Sequence, residues 1–554
     1  MLNRPTIRVA SPAPARAGTA RERSLLPRRH LLRGFSTRVL FLSFLLSFFV
    51  FPASAQQVSA LQRAPLERRI LAIVGEQKAQ GAHWGVEVVS VRSGRRLAAV
   101  NPKKRFVPAS TAKLFPAAAA LARLGPDFIY RTTVETTALV SSDGRVQGDL
   151  VLVGRGDPNL SGRVLPYNGR TEREEPATRV FQELAAQVFQ RGVRSVEGNL
   201  VADDSYFVAQ PYGTGWEADD LQWGYGAPVS ALAINDNVVV VRVLPGARAG
   251  EPASVRMEPL ANYYQLENRV VTVPRAEPIP GGGAPAAERL LGIDRRPGST
   301  LLRLWGQVPE RGPEWTRALA IEDPPRFAGE VFRQELARLG IEIKGTVSVR
   351  RLEPFEVADL KGAPVTPTTP SPTTFAAHES VPLAASLKVI LKVSQNLHAE
   401  MLLRTLGRER RNVGSADAGL EEVSQFMKEI GVSEDDVLLR DSSGLSRQNL
   451  VTPSATTALL RSMYNSPRRD LWMDSLPVAG TDGSLQNRLR GRAVAGRVRA
   501  KTGALAGVAA LAGYAPNARG ELLAFAIFVN HHDLPNGEVV ALIDRIVQEI
   551  AASQ

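Results

Sequence analysis

Three short clusters carry residue types that can make and break an acyl bond. The first is Pro108-Ala109-Ser110-Thr111-Ala112-Lys113, directly ahead of an apolar stretch with helical spacing. If the helix begins near Ser110, the serine and lysine at i and i+3 share one face. The amine can then take the hydroxyl proton while the helix N-terminus favours the developing negative charge. Lysine serves as a base near neutral pH only when burial or a neighbouring cation lowers its pKa. The second cluster is Ser394-Gln395-Asn396, within an amphipathic helical pattern, and the third is Lys501-Thr502-Gly503, between two strand-like runs. Glycine after the Lys-Thr pair permits a ligand backbone to approach closely.

Taken singly, each cluster is weak, because a chain of 554 residues contains such pairs by chance. Together they supply what acyl transfer requires: a nucleophile with its base (Ser110, Lys113) and a proton relay to a leaving amine (Ser394). An amide (Asn396) can orient the substrate, and a cation with a hydroxyl (Lys501, Thr502) can hold a terminal carboxylate. A second lysine near Lys113 also helps to keep one of the two neutral. In this order the clusters form the set found in penicillin-binding proteins and class A β-lactamases.

The chain resembles the peptidase S13 family, the class C low-molecular-mass penicillin-binding proteins, over most of residues 60–550. Longer stretches carry the resemblance: Gly154-Arg155-Gly156-Asp157-Pro158, the run Gly198 to Ser205, and Tyr225-Gly226-Ala227-Pro228-Val229-Ser230-Ala231-Leu232. Asp441-Ser442-Ser443-Gly444-Leu445-Ser446-Arg447 and the run Leu476 to Leu485 extend it. The resemblance implies a serine D-alanyl-D-alanine carboxypeptidase or endopeptidase that cuts peptidoglycan stem peptides and is acylated by β-lactam antibiotics. It implies an oxyanion hole from the backbone N–H groups of Ser110 and Ala504, the latter at a position where relatives commonly carry Ser or Thr. It also implies that Asp157 and Arg447 recognise the charged end of a diaminopimelate side chain, as charge-assisted bonds would. A turn-forming Asp-Pro and a structural arginine are the alternative for that pair. No metal or organic cofactor is expected. Two rival functions share parts of the pattern, a serine β-lactamase and a catalytically silent peptidoglycan-binding protein. The long span from Lys113 to Ser394 speaks against the first, and the six intact motif residues against the second.

The elements that must position these residues follow from periodicity. Helical spacing runs through Leu61–Val74, Ala117–Leu124, Pro382–Leu406, Ala416–Ile430, Ser454–Asn465 and Gly537–Ala551. Strand-like runs lie at Trp84–Val91, Arg96–Val100, Val498–Thr502, Gly507–Tyr514 and Leu522–Asn530. Pro116, inside an expected helix, is out of place because it lacks a backbone donor. From about Tyr130 the chain changes to short strands and Gly/Pro/Asp turns interrupted by one amphipathic helix, Thr178–Arg191. The pattern predicts an α/β (α+β) fold, a mainly antiparallel sheet flanked by helices and split at 56–130 and 377–554, and the resemblance implies that this is a transpeptidase-like domain. A large β-rich insertion at 131–362 and a Pro/Thr-rich linker at 363–376 separate the halves.

Composition bounds the remaining classes. The formal charge is +13, but residues 1–55 hold nine Arg against one Glu, a local +8, leaving +5 for the other 499 residues. The charge is therefore an N-terminal feature, and no nucleic-acid partner is expected. A basic stretch ending Arg28-Arg29-His30-Leu31-Leu32-Arg33, the apolar run Val39–Phe51 and Pro52-Ala53-Ser54-Ala55 read as an export signal cleaved near Ala55. The apolar run is too short to span a bilayer comfortably; an exported, periplasmic or cell-envelope protein with at most peripheral membrane association is expected. Cysteine is absent, so thiol catalysis and thiolate metal sites are excluded. The six histidines form no His-Glu-x-x-His pattern, and His531-His532-Asp533 is expected to end a strand.

Overall fold

The runs Val508–Pro516 and Leu522–Asn530 are buried along almost their whole length, which only a sheet covered on both faces allows. The computed structural model describes residues 65–169, 175–275, 290–362, 372–491 and 493–554. The expected export signal and most of the Pro/Thr-rich linker lie outside them. The two buried runs are central strands of a five-stranded sheet in the order Arg499–Leu505, Val508–Pro516, Leu522–Asn530, His83–Ser90, Arg96–Val100. Every pairing in it is antiparallel. Alternate residues therefore face opposite layers. Val86, Val88, Phe525 and Ile527 pack under the helices Pro65–Val74 and Asn536–Ala551. Phe106, Ala510, Tyr514 and Phe528 pack with the helices Leu114–Arg123, Asn396–Arg411, Ala416–Glu429 and Pro453–Tyr464. On that side the buried Trp472 donates its indole N–H to the Tyr514 hydroxyl at 2.9 Å, and Tyr514 donates to the Leu460 carbonyl at 2.6 Å. Both polar tips are thus satisfied inside an apolar layer.

Between these strands in sequence lies a second five-stranded sheet, ordered Val347–Leu352, Leu200–Val208, Leu150–Val153, Arg131–Thr136, Thr373–Glu379. Its first two pairings are parallel and its last two antiparallel. Parallel neighbours need crossover connections. The helix Arg179–Gln190 lies in the crossover from Leu150–Val153 to Leu200–Val208, and the helix Pro324–Arg338 in the one from there to Val347–Leu352. Phe181 and Phe332 meet edge-to-face between them, with ring centroids 6.2 Å apart.

Three expectations need correction. The interruption by a single helix is wrong, because Pro324–Arg338 is a second one. Its Pro-Pro start resembles a break, yet proline suits the first helical turn, and Asp323 caps it by accepting from the Arg326 N–H at 3.3 Å. The break between linker and second half, expected at 376/377, falls inside a strand. Thr373–Glu379 pairs with Arg131–Thr136, so the sheet of the middle segment extends to Glu379. Pro116 does no harm, because the α-helix starts at Leu114 and places it in the first turn.

Candidate active site

Ser110 sits on a tight 3₁₀ turn, Ala109–Lys113, that leads into the helix Leu114–Arg123. Ala109 holds a left-handed backbone, φ 47°, which a residue with a Cβ rarely adopts. Close packing on both sides fixes the turn. A Cβ on Gly444 would lie 1.9 Å from the Ala109 carbonyl oxygen, and one on Gly503 2.7 Å from that of Pro108. Glycine is required at both contacts so that the two backbones can clamp the serine turn.

The Lys113 amine is fully buried and lies 3.0 Å from Ser110 Oγ, 2.7 Å from Asn396 Oδ1 and 2.5 Å from the Ser443 carbonyl oxygen. Burial pushes its pKa down to about 7, against the opposing pull of the Asp441 and Glu400 carboxylates. A neutral amine has two N–H donors and one lone pair. The carbonyl and the amide oxygen can take the two donors, which leaves the lone pair for the hydroxyl proton of Ser110.

Buried carboxylates set the Ser443 carbonyl in place. Glu400 accepts from the N–H groups of Ser442 and Ser443, both at 2.8 Å. Asp441 accepts from the N–H groups of Gly444, Leu445 and Ser446 at 2.9, 3.1 and 3.0 Å, and from the indole of Trp216 at 2.8 Å. Neither residue was expected to shape the site. An aspartate opening a Ser/Gly-rich run is, however, the sequence sign of a side chain that folds its own loop.

Ser394 and Asn396 do not lie inside a continuous helix Pro382–Leu406, as periodicity predicted. The helix Leu383–Lys388 passes into a π-helical turn, Val389–Val393, and ends at Ser394, whose φ and ψ are 68° and 34°. A new helix starts at Asn396. The break, at a backbone conformation costing roughly 1–3 kcal/mol, turns both side chains into the corner. Lys501 donates to Ser394 Oγ at 2.7 Å. Asn396 donates from Nδ2 to the Tyr225 carbonyl at 2.8 Å, which fixes the amide so that Oδ1 faces Lys113. Two residues on, His398 is buried and bonded to Asp236 at 3.0 Å.

Lys501 is buried on the edge strand Arg499–Leu505. Burial, and then the charge of Lys113, hold its pKa well below the ordinary lysine range. Thr502 points its hydroxyl to Ser484 Oγ at 2.8 Å. Ala504 is exposed and, with Ser110, lines a cavity of about 420 Å³.

Arg447 also lines that cavity, whereas Asp157 lines neither it nor the neighbouring cavity beside Ser394. Asp157 is fully buried in its turn, accepting from Asn159 N–H at 2.9 Å and Asn159 Nδ2 at 3.1 Å. The Asx turn engages Oδ1 and the whole carboxylate is buried away from both cavities, so the expectation that Asp157 and Arg447 meet one diaminopimelate side chain is corrected at Asp157. The acidic groups beside Arg447 are Glu217, Asp219 and Asp220. Arg447 meets Glu217 at 2.9 Å. Burial, with the charges of Asp219 and Glu217, raises the pKa of Asp220. The run Trp216-Glu217-Ala218-Asp219-Asp220 was readable as acidic, but nothing in its spacing tied it to the motifs.

Fold and corner together define the penicillin-binding class of serine DD-peptidases. Residues 66–550 match the D-Ala-D-Ala carboxypeptidase 3 (S13) family, and the chain belongs to that family. It is 36% identical over 495 residues to the D-alanyl-D-alanine carboxypeptidase of Actinomadura sp. (strain R39), covering 87% of this chain and 84% of that one. Penicillin-binding protein 4 (dacB) from Haemophilus influenzae shares the fold, with a TM-score of 0.71 at 24% identity over 88% of this chain and 99% of that one. Its complex with a β-lactam superposes with a TM-score of 0.67 at 22% identity, over the same shares of both chains.

Proposed function

We propose that this DD-peptidase works through an acyl-enzyme on Ser110. Neutral Lys113 takes the hydroxyl proton as Ser110 Oγ bonds to the carbonyl carbon of a D-alanyl residue. The N–H groups of Ser110 and Ala504 stabilise the oxyanion, each by about 3–4 kcal/mol in comparable sites. The proton taken by Lys113 is relayed through Ser394, which is hydrogen-bonded to Lys501, to the departing amine as the C–N bond breaks. Water then attacks the ester and releases the shortened peptide. Thr502 and Ser484 offer paired hydroxyls to the leaving carboxylate, where Ala504 supplies none.

The reading extends to recognition and location. Glu217, Asp219 and Asp220 crowd one guanidinium, so an ammonium group on the substrate would relieve their repulsion. Arg447 can meet a carboxylate beside it, as the two ends of a diaminopimelate side chain would require. The N-terminal signal directs the chain out of the cytoplasm, with cleavage near Ala55. Among the described residues no helix is long and apolar enough to cross a membrane.

The observation that carries the mechanism is the 3.0 Å contact between Ser110 Oγ and an amine whose pKa burial brings to about 7. Intact-mass analysis with and without benzylpenicillin tests it. Wild type should gain one penicillin mass and Ser110→Ala none. An adduct on Ser110→Ala would place the nucleophile elsewhere.

A further inference from the structure

Of the six tryptophans in the chain, Trp305 alone is exposed, at 47%. It lies on the central strand of a three-stranded sheet ordered Gln265–Val273, Leu301–Pro309, Leu290–Asp294. Side chains alternate across such a sheet. Leu302 and Leu304 are buried in the core of the middle segment, so Arg303 and Trp305 stand on the opposite face. The indole lies across the neighbouring strand. Gly292 is its register partner there, and a Cβ on Gly292 would fall 2.2 Å from Cε2, 2.4 Å from Cζ2 and 2.6 Å from Nε1 of the ring. Only glycine leaves room for the ring to rest over that backbone while nearly half of it meets solvent.

The border of this ring is polar and balanced in charge. Arg269 is its register partner on the other side, and the next row on the same face is Glu267, Arg303 and Asp294. Arg303 meets Glu267 at 2.9 Å and Asp294 at 4.0 Å, and Glu267 also pairs with Arg269. Two guanidiniums and two carboxylates cancel. On the far side of the ring the exposed Val271 and Leu290 widen the apolar surface.

An anionic polymer or lipid surface needs an excess of cations, which this face lacks. A chain of neutral sugars fits it. The C–H-lined face of a pyranose ring carries partial positive charge and lies well on the negative face of an indole. Its hydroxyl and acetamide groups can then bond to the carboxylates and guanidiniums at the border. We infer that Trp305 and Gly292 form a glycan platform, and that its occupant is the peptidoglycan strand from which the stem peptides hang. The choice of strand rests on the DD-peptidase reading above. A strand held there raises the local concentration of stem peptides at the enzyme without touching the bond that is cut.

The test is co-sedimentation of the protein with insoluble peptidoglycan from which an amidase has removed the stem peptides. Wild type should bind, and Trp305→Ala and Gly292→Val should each bind at least about tenfold more weakly. Penicillin acylation should be unchanged in both variants. Wild-type binding should hold from about 50 to about 500 mM salt. Equal binding by all three proteins, or none by wild type, would overturn the platform. So would binding lost at high salt, which would mark an anionic polymer. A wild-type dimer in sedimentation velocity that Trp305→Ala dissolves would overturn it too, and make the face a contact between copies. Wild type that binds the stripped strands yet takes no penicillin would keep the platform and strike the acyl-enzyme reading instead.

Discussion

The two five-stranded sheets do different work for one site. The antiparallel sheet, covered by helices on both faces, contributes the buried lysine of its edge strand and the helices that carry Ser110, Lys113 and Asn396. The segment of the mixed sheet contributes walls and props: the Tyr225 carbonyl under Asn396, the Trp216 indole on Asp441, and the charged linings of both cavities. Groups that must keep their geometry through a reaction come from the antiparallel sheet and the helices packed on it. Groups that must match a substrate come from loops, which can change without disturbing the core.

The sharpest way to break this division is to disturb the clamp on the serine turn. Gly444→Ala places a Cβ against the Ala109 carbonyl, at a φ of 80° that alanine resists. The rate of penicillin acylation should fall at least about a hundredfold, since small misplacements of a nucleophile are this costly. A rate within about threefold of wild type, with an unchanged melting temperature, would mean that the clamp yields and geometry is set elsewhere.

The next effect is on pH. Lys113 must be neutral to accept a proton, and burial has lowered its pKa to about 7. Acylation should therefore rise about tenfold per pH unit below that value and level off above it. Stopped-flow acylation between about pH 5 and about pH 9 reads this directly. A flat profile would show that Lys113 does not hold the proton in the free enzyme. The smallest effect should come from the other region. Trp216→Phe removes one of Asp441's donors and should slow acylation about fivefold, equivalent to about 1 kcal/mol. No change at all would make the middle segment a bystander to the catalytic loop.

Much of the catalytic sheet was legible, because Gly507–Tyr514 and Leu522–Asn530 are long apolar runs bounded by turns, and their pairing follows from adjacency. The clusters around Ser110, Ser394 and Lys501 were legible for a different reason, since each holds residue types that have little structural use in those combinations. The break at Ser394 was hidden. Its flanks keep helical apolar spacing on both sides, and a single left-handed residue leaves no mark on periodicity. The Asp157 expectation failed because the turn to Asn159 buries its carboxylate away from both cavities, which no linear spacing reveals. Glu217, Asp219 and Asp220 reach Arg447 only through tertiary folding across more than two hundred residues.

The strand order has a consequence for timing. His83–Ser90 pairs with Leu522–Asn530, and Lys501 sits on a strand reached only near the end of the chain. Ser110 and Lys113 are made early, yet their sheet partner, the Ser443 carbonyl and the second lysine all arrive hundreds of residues later. A growing or truncated chain thus carries its nucleophile without the means to activate it. An active corner therefore depends on pairing between strands that lie more than four hundred residues apart in sequence.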